Sequence, residues 1–101
     1  MKTYHGLGEL LLNKEKLADV GWLFIEKSFN SVSRNDILNG NFFLAENDDE
    51  EIDAERRYKT WLESPAFLDI LDVMQEKNPA ATTNELIEAI VYYIEHDAFM
   101  D

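Results

Sequence analysis

The sequence predicts an α+β domain, a small antiparallel sheet of two strands (with room for more) packed against three to four helices. Three observations predict it. Two short, dense apolar runs, Trp22-Leu23-Phe24-Ile25 and Asn41-Phe42-Phe43-Leu44-Ala45, are too brief for globular helices and read as strands. The C-terminal half repeats its apolar residues at helical spacing. Strong start and stop signals, Ser64-Pro65, Asn78-Pro79 and Thr82 with Glu85, divide that half into separate helices. At 101 residues the chain has the size of one domain, and a single globular domain over 1–101 is expected. The alternative is an all-α domain with the two apolar runs as short helices or loops.

Taken in order, residues 3–17 place Tyr4, Leu7, Leu10, Leu11 and Lys14 at helical spacing, so a first helix is expected there. Gly6 and Gly8 weaken its opening turns by roughly 1 kcal/mol each relative to Ala. The first strand follows Gly21. Residues 28–40 have the Ser- and Asn-rich composition of a loop, with Ile37 and Leu38 available to pin it to the core. Asn39-Gly40 is a turn before the second strand, and the long connection allows the two strands to be antiparallel. The acidic stretch is then expected to end the sheet.

A helix over about 49–63 carries the partial stripe Ile52, Tyr58, Trp61 and Leu62, and its acidic start suits a helix N-terminus. Ser64 as N-cap and Pro65 at the first helical position open the next helix, with Phe67, Leu68, Ile70, Leu71 and Met74 inward. Asn78-Pro79 stops it. The capping box of Thr82 and Glu85 opens the last, with Leu86, Ile87, Ile90, Val91 and Ile94 on one face, ending near His96. These two helices are expected to form the main core. Phe99 is expected to fold back onto the domain and tie down the terminus.

Charge carries most of the functional information. Twenty-one acids against nine bases give a formal net charge of -12. Seven carboxylates fall within ten residues, Glu46, Asp48, Asp49, Glu50, Glu51, Asp53 and Glu55, with no base among them. Such a field repels nucleic acid and acidic membranes and speeds encounter with a basic partner. As a calcium loop starting at Asp49 the run fails, because Ala54 stands where Gly is needed and Thr60 where Glu is needed. Loose cation binding or a merely solvated helix start are the plainer readings of the run.

The chain has no cysteine, which excludes disulfides, thiolate metal sites and thiol catalysis. No signal peptide or membrane-length apolar stretch is visible, so a soluble, cytoplasmic protein is expected. His5 and His96 lie at opposite ends of the chain, no serine has a nucleophile-elbow context, and no Gly-rich phosphate loop exists. No catalytic residue, cofactor or metal site is therefore assigned, and binding rather than catalysis is expected. Trp22 and Trp61 are assigned to the core. Tyr92 and Tyr93 point about 100° apart on a helix, so one lies at the boundary with its hydroxyl exposed, an interface anchor. The expected partner-binding residues are thus the seven carboxylates with Tyr92 and Tyr93.

Two stretches, Trp22-Leu23-Phe24-Ile25 and the terminal helix from Glu85 to Phe99, resemble small bacterial immunity proteins. These are encoded beside polymorphic and contact-dependent growth-inhibition toxins. The resemblance implies a function class: binding of one cognate toxin, often a basic nuclease, so that its active site is blocked. It implies no particular binding residue. An acidic adaptor or regulator of a cellular nucleic-acid-binding protein shares the charge logic and stands as the alternative. A small enzyme or metal-binding domain is the third class, and it requires clustered, buried polar groups.

Overall fold

A computed structural model describes residues 1–17 and 21–99. The chain opens with β1 (Lys2–His5), followed by α1 (Gly6–Leu12) and a 3-10 turn at Lys14–Lys16. Next come β2 (Trp22–Ile25), α2 (Arg34–Asn39), β3 (Asn41–Leu44), α3 (Asp48–Arg57) and β4 (Lys59–Glu63). Two longer helices, α4 (Ser64–Lys77) and α5 (Thr83–His96), complete the domain. The architecture is α+β. Its sheet has four strands in the order β1-β3-β2-β4, every pair antiparallel, so the expected two-stranded core of β2 and β3 is flanked by a strand on each side.

Both added strands come from segments expected to be helical. In the first, Thr3, Tyr4 and His5 pair with Phe43, Phe42 and Asn41, and the chain turns a corner at Gly6 before the helix begins. Gly6 has φ +81°, and its N–H donates to Gly40 O at 2.7 Å. A Cβ there would lie 2.6 Å from Leu38 O, so only glycine makes this corner without displacement. In the second, α3 stops at Arg57 and residues 59–63 return to the sheet, which the acidic run therefore interrupts but does not end. A register shift opposite Leu23 and Phe24 lets both Trp61 and Leu62 face the core. That bulge breaks the period-2 alternation by which a strand is recognised.

The segment expected to be a loop holds the short helix α2. Its Ser33 accepts a hydrogen bond from Asp36 N at 3.3 Å, so this polar composition supplies a cap as well as turns. Ile37 is fully buried as expected, whereas Leu38 is exposed. At α4 the cap position is Glu63, without a side-chain cap bond; Ser64 is the first helical residue and fully buried. The α5 capping box forms as read, with Glu85 N donating to Thr82 Oγ1 and Thr82 N to Glu85 Oε1, each at 3.2 Å.

Strand pleating divides the apolar residues between two unequal faces. Tyr4, Leu23, Ile25, Phe42 and Leu44 join Leu7, Leu10, Ile37, Phe67, Ile70, Ile87 and Ile90 in the main core, so α1 and α2 share it with α4 and α5. Aromatic rings tie the sheet to α4 there, Phe42 to Trp61 at 4.8 Å and Trp61 to Phe67 at 5.9 Å between centroids. The other face carries Phe24 and Phe43, which with Ala54 of α3 form a second, much smaller cluster. Tyr58 closes it by stacking on Phe43 at 4.1 Å and 11°. The acidic helix thus lies on the thinly covered side of the sheet.

Candidate partner-binding site

The acidic run is a helix with its own reasons to be one. Asn47 caps it by accepting from Glu50 N at 2.9 Å. Asp48, Asp49, Glu50 and Glu51 occupy the first turn and Arg56 and Arg57 the last, each sign set against the opposite end of the helix dipole. Two of the seven carboxylates are engaged within the chain. Glu50 accepts from the Met1 amino group at 2.6 Å and from Glu46 N at 2.9 Å, and the amino-group hydrogen bond, followed by the backbone one, holds its carboxyl below the usual glutamate range. Asp53 pairs with Arg57 at 3.1 Å, one turn on.

Three others meet around an aromatic. Glu46, Asp48 and Glu51 line a cleft of about 450 Å³ between the start of β2 and the start of α3, with Trp22 and Phe24 in its walls. Asp49 and Glu55 are exposed and lie outside it. Trp22 was assigned to the core from sequence, but it is 37% exposed. The reason is its place in the pleat. Leu23 and Ile25 point into the main core, so Trp22 and Phe24 face the opposite side, where Phe24 is covered by the small cluster and Trp22 is not.

Trp22 also borders a second cleft, of about 310 Å³, between β4, the first turn of α4 and the end of α5. Leu62, Tyr93 and Ile94 give it apolar walls, and Glu63 and Asp97 are its charged residues. Glu63 is the direct cross-strand partner of Trp22. Asp97, in the left-handed conformation at φ 52°, follows the last turn of α5 and lines the cleft.

The two tyrosines part company here. Tyr93 packs on the core, lines the Trp22 cleft and lies 5.4 Å from Phe99, so the chain end does fold back, although Phe99 itself stays 41% exposed. Met100, the other apolar residue of that tail, lies outside the described residues. Tyr92 belongs to a different cleft with Val32 and Arg34, and its ring lies 4.2 Å from that of His96, tilted by 33°. Of the two tyrosines, Tyr93 shares a cleft with Trp22 and Tyr92 does not. Sequence reasoning missed Trp22, Glu63 and Asp97: the run Trp22-Leu23-Phe24-Ile25 is apolar throughout, so no alternation distinguishes Trp22 from its buried neighbours.

Among the described residues no group of three His, Asp or Glu side chains could hold a metal ion. No helix among them is long and apolar enough to cross a membrane.

Comparison by sequence places the chain. The profile of the family described as Domain of unknown function (DUF7716) matches residues 4–101. The chain belongs to that family. No curated protein and no solved structure matches it significantly. The family description names no activity, so a functional reading has to come from the surface just described.

Proposed function

We propose that the protein binds and neutralises a basic partner protein, and that it is the immunity protein of a toxin, a nuclease whose active site it blocks. One observation carries the reading. Glu46, Asp48 and Glu51 converge around an exposed tryptophan on the less covered side of the sheet, and no base lines that cleft among the described residues. A nuclease presents cations to phosphate, and carboxylates offered in the same spacing occupy those cations instead. The field of a chain at -12 speeds capture, with steered association reaching about 10⁸–10⁹ M⁻¹s⁻¹. Aromatic contact then supplies slow dissociation.

The test is rescue followed by kinetics. The gene directly upstream is tested for a toxin domain, which is expressed with and without this chain, and growth is expected to be restored only with it. Association is then measured at low and high salt for the wild type and for the combined variant Glu46→Gln, Asp48→Asn, Asp49→Asn, Glu51→Gln. Glu50 is left intact because it holds the chain's amino group. The variant is expected to associate more slowly at low salt and to lose most of its salt dependence, with a smaller change in dissociation. Growth that is not restored refutes the toxin assignment. Equal association rates at low salt refute the acidic face as the interface.

A further inference from the structure

The two clefts that share Trp22 differ in electrostatic character from three others among the described residues. Glu63 and Asp97 lie in one, Glu46, Asp48 and Glu51 in the other, and neither is lined by a base among the described residues. By contrast, the cleft between α2 and α5 contains Arg34, and the clefts beside α1 contain Lys14. Trp22 is thus a partly exposed indole shared by two clefts that acidic residues line. One of these, Glu63, is fixed opposite it by strand register. The Tyr93 side of the groove is apolar, with Leu62 and Ile94 beside Tyr93.

We infer that this groove is the docking site for an arginine-bearing segment of the basic partner, the guanidinium seated on Trp22 and a neighbouring apolar side chain in the Tyr93 half. The inference rests on the proposed function and specifies its chemistry. Charge complementarity selects a cation, and the indole selects which one. A guanidinium is planar and weakly hydrated, so it can lie flat on an indole face while its N–H groups reach outward to carboxylates. An ammonium is a compact, strongly hydrated charge without a flat face, and it cannot do both as well. Acidic residues in both clefts suit a flat fork with donors on more than one edge. The apolar half then sets the register of the segment, because an arginine followed by a polar residue would leave Tyr93, Leu62 and Ile94 unpaired.

The experiment uses the full chain and rhodamine-labelled nonapeptides of alternating arginine and leucine, with binding read by fluorescence anisotropy and the protein's tryptophan emission. Comparison peptides replace arginine by lysine, by neutral citrulline, or leucine by serine. The arginine–leucine peptide is expected to bind and to quench the exposed tryptophan. Citrulline, which keeps the shape and loses the charge, is expected to bind at least about tenfold more weakly, and the lysine and serine peptides several-fold more weakly.

Trp22→Ala is expected to weaken the arginine–leucine peptide by about tenfold and Trp22→Phe by less, since a phenyl ring keeps part of the cation–π attraction. Both variants are checked by circular dichroism, and the partial exposure of Trp22 predicts that both fold. Glu63→Gln with Asp97→Asn is expected to weaken binding comparably. Neither change removes a cap bond, since Glu63 makes none and asparagine tolerates the conformation at 97.

Equal binding of the citrulline or lysine peptide overturns the inference. So does Trp22→Ala binding like wild type while the α3 variant loses binding, a result that leaves the acidic interface itself standing. If the toxin binds but no arginine peptide does, the groove assignment also fails and the proposed function survives.

Discussion

Phe42 and Phe43 are neighbours on β3 with opposite structural duties, and truncating each in turn tests the two-faced sheet. Phe42 is fully buried in the main core, with Phe29 at 5.6 Å and Trp61 at 4.8 Å between ring centroids. Phe43 is 8% exposed in the small cluster, where it stacks on Tyr58 and lies opposite Phe24 across the strands. Phe→Ala in a core costs about 3–5 kcal/mol, and each aromatic pair accounts for about 0.5–1.5 kcal/mol beyond area. Complete burial in the large core with two ring contacts puts Phe42→Ala near the top of that range, at about 5 kcal/mol; one stacked ring and a place in the small, peripheral cluster put Phe43→Ala near the bottom, at about 3 kcal/mol. Because domains have only about 5–15 kcal/mol in total, the first variant is expected to be largely unfolded or close to it. The second should remain folded with its melting temperature lowered by about 12 °C, at roughly 4 °C per kcal/mol. Urea denaturation gives the free energies, and native-state hydrogen exchange gives the location. In Phe43→Ala, protection should fall in 48–57 while α4 and α5 retain theirs. Equal losses in the two variants, or protection falling evenly across the molecule, would refute a separately anchored α3.

Gly6→Ala should destabilise by about 2 kcal/mol or more, combining positive φ with a 2.6 Å approach to Leu38 O, whereas Gly8→Ala, with open space around its Cβ, should be neutral or stabilising; denaturant midpoints compare them. Ser64→Ala separates two readings of one residue: loss of an N-cap would cost about 1 kcal/mol, but the buried Ser64 hydroxyl has no hydrogen-bond partner among the described residues, so the variant should match or exceed wild-type stability. Glu85 is held below the usual glutamate range, first by Thr82 N–H, then by the Thr82 hydroxyl and Asn78. A depressed folded value means the capping box is fully effective above the ordinary glutamate range and lost as pH falls through the lower folded value. Glu85→Gln should therefore flatten that acid limb of the melting-temperature profile, and an unchanged acid limb would refute the linkage.

The elements legible in the sequence are those whose own residues dictate them. The α5 capping box is a local code, and the four-residue strand at 22–25 is set by a dense run of large apolar side chains. What sequence could not supply was pairing. Tyr4 satisfies a helical stripe with Leu7 and Leu10, yet it lies on β1 because β3 offers hydrogen bonds to 2–5 and Gly6 turns the corner. Trp61 and Leu62 satisfy a helical stripe with Tyr58, yet a bulge lets one strand bury both. In each case a tertiary partner decided between two periods that the local pattern left equivalent. The acidic run was visible as a charge excess, but its meeting with Trp22 depends on the pleat of a strand 24 residues away from Glu46, and no local pattern encodes that.

The arrangement also explains how so many carboxylates can be carried without loss of the fold. α3 is fastened by one small buried residue, Ala54, by the stacking of Tyr58 just beyond its end and by the bond from the Met1 amino group to Glu50, while Ile52 on the same helix is 53% exposed. Its outer surface therefore has little packing to satisfy. The main core lies on the opposite side of the sheet, where burial excludes charge almost completely. Substitutions at Glu46, Asp48 or Glu51 alter a field at the mouth of a cleft without opening a cavity, whereas substitutions at Phe24 or Phe43 release the helix that holds those carboxylates in place. Surface charge and folding constraint thus fall on different residues of one short segment, so the carboxylates can be altered while the domain beneath them stays the same.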